Sequence, residues 1–411
     1  MRILHIVHQY LPDHVGGTEL YTQALAAMQQ NAGHTVAILT RQDQPALGLS
    51  SKVNAQGVTV WRASCGELSP TGRFVATYGQ RQLADHLRAV LAEFRPDLVH
   101  IQHLMGWPGD VGEILHRAGI PFVVTLHDYW WVCANAQLIT NDSQQLCDGP
   151  DRFVNCGRCA LARAGQSGLA WAAPVLAPPL AWRNRLLRRT LDRAAALIAP
   201  SRFVADWHRP RLAEDSPIHV VPHGIVAPAD APVPGPKSPI TRFVYLGGLD
   251  WQKGVHVILE AMRGVTGAEL SIAGDPTANP AYVADLRAAA PATVTFLGRL
   301  DRDAVWPTLA AADFLLFPSL WPESYGLVID EAFAVGVPVL ASDLGAQAER
   351  VRPGENGLRL PPGDVAAWRA AMQALADHPA RRDELAAGIT PTITLAEHGR
   401  QIETIYRQFS K

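Results

Sequence analysis

Trp321-Pro322-Glu323-Ser324-Tyr325-Gly326-Leu327-Val328-Ile329-Asp330-Glu331-Ala332 decides how the rest of this chain is read. It follows an apolar run, Phe314–Phe317, that reads as a buried strand, and Gly326 stands just before a helical pattern. A strand feeding a helix through such a turn leaves unpaired backbone amides at Tyr325, Gly326 and Leu327. They point where an anion would sit, and the helix dipole adds to the attraction. Glu331, four residues after Leu327, falls one turn further on the same helix face, about 6 Å along the axis. A carboxylate there accepts hydrogen bonds from ribose hydroxyls. Glu323 and Ser324 lie in the loop before the helix, where Glu323 reaches hydroxyls on the far side of the phosphates. Two solvated surface glutamates are the plain alternative.

Outward from this stretch, short apolar runs alternate with helical patterns. Arg2–His8 reads as a strand, followed by a Gly16-Gly17 turn and a helix from Thr18 to about Asn31. Thr35–Leu39, Val58–Arg62, Leu98–Gln102, Phe122–Leu126, Ala195–Pro200 and His219–Val221 read as further strands. Residues 227–239 hold five prolines and little that packs, which reads as a linker. The alternation restarts with strand Arg242–Leu246, a Gly247-Gly248 turn and a helix near Gly254. Glu269–Ala273, Thr293–Phe296, Phe314–Phe317 and Val337–Ala341 continue it, and Leu395–Phe409 is an amphipathic helix. Continuous Val/Ile/Leu runs separated by helices predict parallel sheets covered on both faces. The expected architecture is therefore α/β: two Rossmann-like doubly wound domains, 1–226 and 240–394, facing across a cleft. Residues 395–411 are expected to pack back on the first.

The 411-residue length suits two to three domains, and 18% charged with 48% hydrophobic residues excludes a disordered or fibrous chain. Lys plus Arg (36) nearly balances Asp plus Glu (38), which argues against a dedicated nucleic-acid binder. No run of 18 apolar residues suggests a membrane-spanning helix. The opening residues, Met1 to His8, read as a strand and not as a signal peptide, so the cytoplasm is the expected compartment.

At this point the motifs line up. Glu323-x7-Glu331 enclosing Gly326-Leu327 resembles the E-x7-E signature of family 4 glycosyltransferases, which have the GT-B fold. Gly16-Gly17-Thr18-Glu19 resembles the family's first glycine loop, and Thr125-Leu126-His127-Asp128 its first-domain histidine segment. Pro200-Ser201 and Val221-Pro222-His223-Gly224 resemble the end of that domain. Gly247-Gly248-Leu249-Asp250-Trp251-Gln252-Lys253-Gly254 resembles the donor-phosphate loop, and Ala334–Val339 the segment after E-x7-E. The resemblance implies a retaining transferase moving a sugar from a UDP- or GDP-sugar to a glycan or lipid-linked acceptor, as in cell-surface polysaccharide or glycolipid synthesis. It implies that Lys253 pairs with the diphosphate, Glu331 binds ribose, Glu323 contacts the transferred sugar and His127 lies near sugar and acceptor. Gly16, Gly17, Gly248, Ser324, Tyr325, Gly326 and Leu327 would complete the donor site, with no metal required for catalysis. One departure stands out: the family often has arginine where this chain has Gly248, so the diphosphate lacks a bidentate clamp or another cation takes its place. His223 likewise replaces a common asparagine.

Two features lie outside that pattern. Cys133, Cys147, Cys156 and Cys159 crowd into one polar stretch, which suits a tetrahedral structural zinc site in a reducing compartment. Buried cysteines or two disulfides are the alternatives, and Cys65 is left to pack alone. Trp171, Trp182, Arg183, Arg185, Arg188, Arg189 and Arg193 surround leucines at helical spacing. A basic amphipathic helix of this kind suits peripheral contact with an anionic inner-membrane face, or is simply a surface helix. Two rival functions remain: a nicotinamide-dependent oxidoreductase, opposed by the lack of G-x-G-x-x-G after the first strand, and a non-catalytic glycan-binding relative, favoured by Gly248.

Overall fold

The computed structural model describes residues 1–409 apart from 229, 231, 233, 234, 236 and 237. The chain divides into two compact units, Met1–Gly224 joined by the residues from Leu395 onward, and Ile225–Thr394. Six of the thirteen residues of the Pro-rich stretch at 227–239 lie outside the described residues. Where it is described, Gly235 donates to the Ala310 carbonyl at 3.0 Å and so belongs with the second unit.

The first unit holds an eight-stranded sheet: β1 Arg2–Val7, β2 Thr35–Arg41, β3 Gly48–Val53, β4 Thr59–Ser64, β5 Leu98–Ile101, β6 Phe122–Thr125, β7 Ala196–Ala199 and β8 Ile218–Val220. Its order is β3-β4-β2-β1-β5-β6-β7-β8. Strands β5, β6 and β7 are buried along their whole length, as their unbroken apolar or uncharged runs require. One element departs from the all-parallel expectation. β3 pairs antiparallel with β4 as an edge strand. Its Gly-Leu-Ser-Ser-Lys-Val sequence is mostly exposed and carries no apolar period, so nothing in it reads as a strand. A lysine and little apolar surface are also what protects an open edge.

The second unit holds six parallel strands: β9 Thr241–Leu246, β10 Ala268–Ala273, β11 Val294–Gly298, β12 Phe314–Phe317, β13 Val339–Ser342 and β14 Gly357–Leu360, in the order β11-β10-β9-β12-β13-β14. The short, half-exposed β14 is absent from the sequence reading. In each sheet the first strand lies where the order reverses. The loops after β1 and β5, and after β9 and β12, therefore part to opposite faces and leave a crevice at the strand ends.

The helix Leu395–Tyr406 completes the first unit. Ile402, Ile405 and Tyr406 are buried with Ile3, Tyr21, Leu25 and Leu98 in one apolar cluster. Burial of each isoleucine contributes about 1.5–3 kcal/mol. Gly399 permits the close approach, since a Cβ there would stand 2.2 Å from the Met28 methyl.

Candidate functional site

The two loops at the second unit's switch point carry the residues singled out in sequence. After β9 the chain runs through Gly247 and Gly248 into a 3₁₀ turn, Trp251–Lys253, and then the helix Val255–Met262. Gly254 joins them at φ +72°, and a Cβ there would lie 2.0 Å from the Pro318 carbonyl oxygen. Only glycine allows this loop to lie so close to the end of β12. The Leu320 amide donates to the Gln252 carbonyl at 2.8 Å, which ties the loops together. Tyr245 donates to the Gly248 carbonyl at 2.7 Å. A side chain at Gly248 would meet little but Asp250 Oδ2 at 3.5 Å, so sterics do not exclude the missing arginine.

After β12 the stretch quoted at the outset turns into the helix Leu327–Ala334, with Gly326 at φ +86° as its cap. The amides of Gly326 and Leu327 donate to no protein acceptor among the described residues. Lys253 Nζ lies 2.7 Å from Glu323 Oε1, and Ser319 Oγ donates to the same oxygen at 2.7 Å. The Glu323 amide donates to Gln347 Oε1 at 3.1 Å. Glu323 and Glu331 are 6% and 7% exposed, which overturns the surface-glutamate alternative. The structure thus brings Lys253, Glu323, Gly326, Leu327 and Glu331 to one rim. It adds two residues that sequence reasoning missed. Arg302 forms a close ion pair with Glu331. Arg350 pairs closely with the fully buried Asp330, and its guanidinium lies 4.6 Å from the Tyr325 ring centroid. Neither arginine lies within a motif, so only the fold reveals them.

In the first unit, Gly16 is extended (φ −147°) and caps the helix Gly17–Asn31. A Cβ at Gly16 would stand 2.5 Å from Glu19 Oε2, so the glycine makes room for a carboxylate that is 2% exposed. His127, just beyond β6, is 8% exposed and its Nε2 is 2.7 Å from Gln102 Oε1. Burial, reinforced by repulsion from His103, holds its imidazole at a pKa of about 3, so the ring is neutral at physiological pH. His103 faces Asp128, which lies 3.2 Å from its Nε2. Beside the ends of β1, β2 and β4 opens a polar cavity of about 150 Å³ lined by Tyr10, Thr40, Arg41, Gln42, Asp43 and Arg62, among others. Tyr10 Oη and Arg41 Nε are buried there without a hydrogen-bond partner.

One part of the cysteine reading is corrected. Cys133 and Cys147 lie in the loop, while Cys156 and Cys159 stand one turn apart on a helix, Val154–Arg163, that the sequence reading took for loop. All four are half-buried free thiols. Two sulfurs are taken up as acceptors: Asn141 Nδ2 donates to Cys159 Sγ at 3.2 Å, and the Gly149 amide to Cys147 Sγ at 3.4 Å. Among the described residues no three His, Cys, Asp or Glu side chains form a metal-ligand set. The four sulfurs nonetheless gather around Cys156, whose thiol is pushed up to about 12 by burial and by repulsion from Cys133, Cys147 and Cys159.

Arg183 is also reassigned. It is fully buried in the helix Ala173–Asp192, donating to the Trp130 carbonyl at 2.7 Å with its guanidinium over the Trp130 ring, and so is no part of a basic surface. Trp171, Val175 and Trp182 are exposed on the same segment. No helix among the described residues is long and apolar enough to cross a membrane.

Comparison with known proteins agrees with these motifs. Residues 15–227 match the model of Glycosyltransferase Family 4, and residues 240–378 that of Glycosyl transferases group 1. Glycogen synthase of Mycobacterium tuberculosis is 26% identical over 410 residues, covering 96% of this chain and 90% of that protein. D-inositol 3-phosphate glycosyltransferase of Acidothermus cellulolyticus is 28% identical over 406 residues, covering 91% and 80%. Sucrose-phosphate synthase from Thermosynechococcus elongatus has the same fold, with a TM-score of 0.72 at 20% identity over 99% of this chain and 98% of that one. Anabaena Alr3699/HepE in complex with UDP and glucose follows at 0.69 and 17%, over 99% and 100%. The oxidoreductase and non-catalytic alternatives give way to these matches. With the E-x7-E stretch, the glycine loops and the histidine segment all inside the matched regions, the chain belongs to glycosyltransferase family 4 and is a glycosyltransferase of GT-B fold.

Proposed function

We propose that this enzyme moves a sugar from a nucleoside-diphosphate sugar to an acceptor hydroxyl with retention of configuration, the donor binding to the second unit. The observation that carries this reading is the convergence of Lys253, the unpaired Gly326 and Leu327 amides and the buried Glu331 at one switch point. A diphosphate fits between the ammonium and the amides, and charge developing on it as the glycosidic bond breaks is stabilised there. Arg302 holds one oxygen of Glu331, leaving the other to accept from ribose hydroxyls. Glu323, steadied by Lys253 and Ser319, turns toward the transferred sugar. Ser324, Tyr325 and Gly248 border the donor, while Gly16, Gly17 and His127, in the first unit, take their roles from the family resemblance alone.

The acceptor falls to the first unit, where the polar cavity beside β1, β2 and β4 is lined by side chains able to hydrogen-bond a glycan, among them Thr40, Gln42, Asp43 and Arg62. A lipid-linked glycan is favoured by the segment 152–191, which carries six arginines besides the buried Arg183 and no acidic residue. Its exposed Trp171, Val175 and Trp182 lie beside exposed Arg185, Arg188 and Arg189, a surface suited to an anionic bilayer.

The test is a thermal-shift screen with UDP-, GDP- and ADP-sugars. Ligand present at 100 times its Kd stabilises the folded state by about 2.7 kcal/mol. One nucleotide class should raise the melting temperature, and proton NMR of the product should show the donor's anomeric configuration. An inverted product, or no shift with any nucleotide sugar, removes the proposal.

A further inference from the structure

The first unit contains two runs of buried polar side chains, one ending on a backbone carbonyl and one on His127. His398 Nδ1 is 2.7 Å from the Pro222 carbonyl oxygen. A carbonyl only accepts, so Nδ1 carries the proton and Nε2 of the neutral ring is a lone pair. Tyr21, 2.8 Å from that Nε2, must then donate to it. A second run starts at Thr125, whose Oγ1 is 2.7 Å from His100 Nε2, and His100 Nδ1 meets the Tyr406 hydroxyl.

From Tyr406 the direction is set by the Gln29 and Gln102 amides. Its oxygen receives Gln29 Nε2 at 3.4 Å, and Gln29 Oε1 receives His5 Nε2 at 2.8 Å. His5 Nδ1, left bare, receives Gln102 Nε2 at 3.0 Å. That sets the Gln102 amide with its oxygen toward His127 Nε2, at 2.7 Å. From Tyr406 to His127 every donor meets one acceptor, and reversing any one of these bonds would leave two donors or two acceptors face to face. His5, His100, His127 and His398 are all held neutral by burial, so none carries the second proton that would break the sequence.

We infer that Gln102 is a positioning residue that fixes His127 as its Nε2–H tautomer, leaving Nδ1 as a hydrogen-bond acceptor for a substrate hydroxyl. His127 Nδ1 makes no hydrogen bond in the structure and is not among the sealed, unpaired polar atoms, so it faces accessible space. In this tautomer His127 orients a hydroxyl by accepting its proton in a hydrogen bond, and it has none of its own to give. The helix Leu395–Tyr406, which supplies His398 and Tyr406, thereby becomes part of what orders the site. The tautomer rests on the network alone, whereas the substrate hydroxyl rests on the function proposed above.

The experiment uses the full-length enzyme labelled with ¹⁵N-histidine and reads the His127 ring nitrogens by NMR, assigned with His127→Gln. The groups facing His127 that titrate or carry charge are His8, His100, His103, Asp128 and His398, with the Tyr21 and His223 rings alongside. Nε2 should appear as N–H and Nδ1 as bare nitrogen, unchanged between pH 6 and 8. Gln102→Leu should mix or invert the two signals and lower kcat about 100-fold. Its affinity for nucleoside diphosphate should remain at the wild-type value. In Gln102→Glu the added carboxylate should favour the imidazolium, so that activity declines as pH falls toward 6, a limb that wild type lacks. A protonated Nδ1 in wild type, or a Gln102→Leu variant with the wild-type tautomer, overturns the inference. A correct tautomer with undiminished kcat in both variants would leave the network standing and remove His127 from the chemistry.

Discussion

Replacing Lys253 by alanine should have two separable effects, because the ammonium does two things. In the resting structure it lies 2.7 Å from Glu323 Oε1, and the Glu323 side chain is 8% exposed while that of Lys253 is 27% exposed. Without the ammonium, Ser319 Oγ is the remaining hydrogen-bond donor described on that oxygen. An uncompensated buried charge costs about 3–5 kcal/mol when fully sealed. With the pair open to water on the lysine side, about 1–3 kcal/mol of folding stability is the expected loss. The second effect belongs to the reaction. If the same ammonium meets a diphosphate whose charge grows at the transition state, its removal costs about 3–4 kcal/mol, or roughly 10²–10³ in kcat. The two are told apart with Glu323→Gln. In the double variant no carboxylate remains to be stranded, so a denaturant midpoint should recover toward that of Glu323→Gln alone. Turnover at saturating donor should remain low. The reasoning is refuted if Lys253→Ala keeps its kcat, or if the double variant turns over as fast as Glu323→Gln alone, for then the lysine would act only by restraining Glu323.

Acid should weaken the first unit selectively. Burial holds His5, His208 and His398 at a pKa of about 4 and His127 at about 3, all below their unfolded value of 6.5. The unfolded chain then binds more protons below pH 6.5, so stability is complete above that pH and falls as pH drops toward 4. Each group contributes up to about 1.4 kcal/mol per pH unit. Denaturant midpoints should be level from pH 7 to 8 and drop steeply below 6, and a level curve down to pH 4.5 would contradict this. Gly254→Ala should cost more than about 2 kcal/mol by urea unfolding, since its φ of +72° and the 2.0 Å approach to Pro318 leave no room for a methyl. If the basic surface meets lipid, anionic vesicles should pellet the protein in low salt, and Arg185→Glu with Arg189→Glu should release it. Equal binding to neutral vesicles would sink that reading.

Much of this was legible because sheet interiors and glycine turns leave local marks. Phe314–Phe317 and Phe122–Thr125 are buried strands whose apolar runs announce them. Lys253, Glu323 and Glu331 lie close to turns that glycines punctuate. The edge strands β3 and β14 left no such mark, since a strand with one exposed side needs little apolar sequence. The arginines Arg302 and Arg350 were illegible for a different reason: each meets its carboxylate 20 or more residues away in sequence, through a contact that only folding creates. Arg183 misled because arginine at helical spacing reads as surface, whereas here the Trp130 carbonyl and ring receive it. The histidine network was equally hidden, since its members are spread from His5 to Tyr406.

The central claim, that a nucleoside diphosphate lies across the Lys253 loop and the Leu327–Ala334 helix start with its ribose at Glu331, is tested most directly by calorimetric titration. UDP and GDP are titrated into wild type and Glu331→Ala, with far-UV circular dichroism confirming that both are folded. The account predicts one site per chain in wild type for one of the two nucleotides. It predicts a loss of about 1.5–3 kcal/mol in Glu331→Ala, roughly 10- to 150-fold in Kd, as for a charged hydrogen bond removed. Equal affinity in the two proteins would contradict it, because the ribose would then lie elsewhere and the donor site with it.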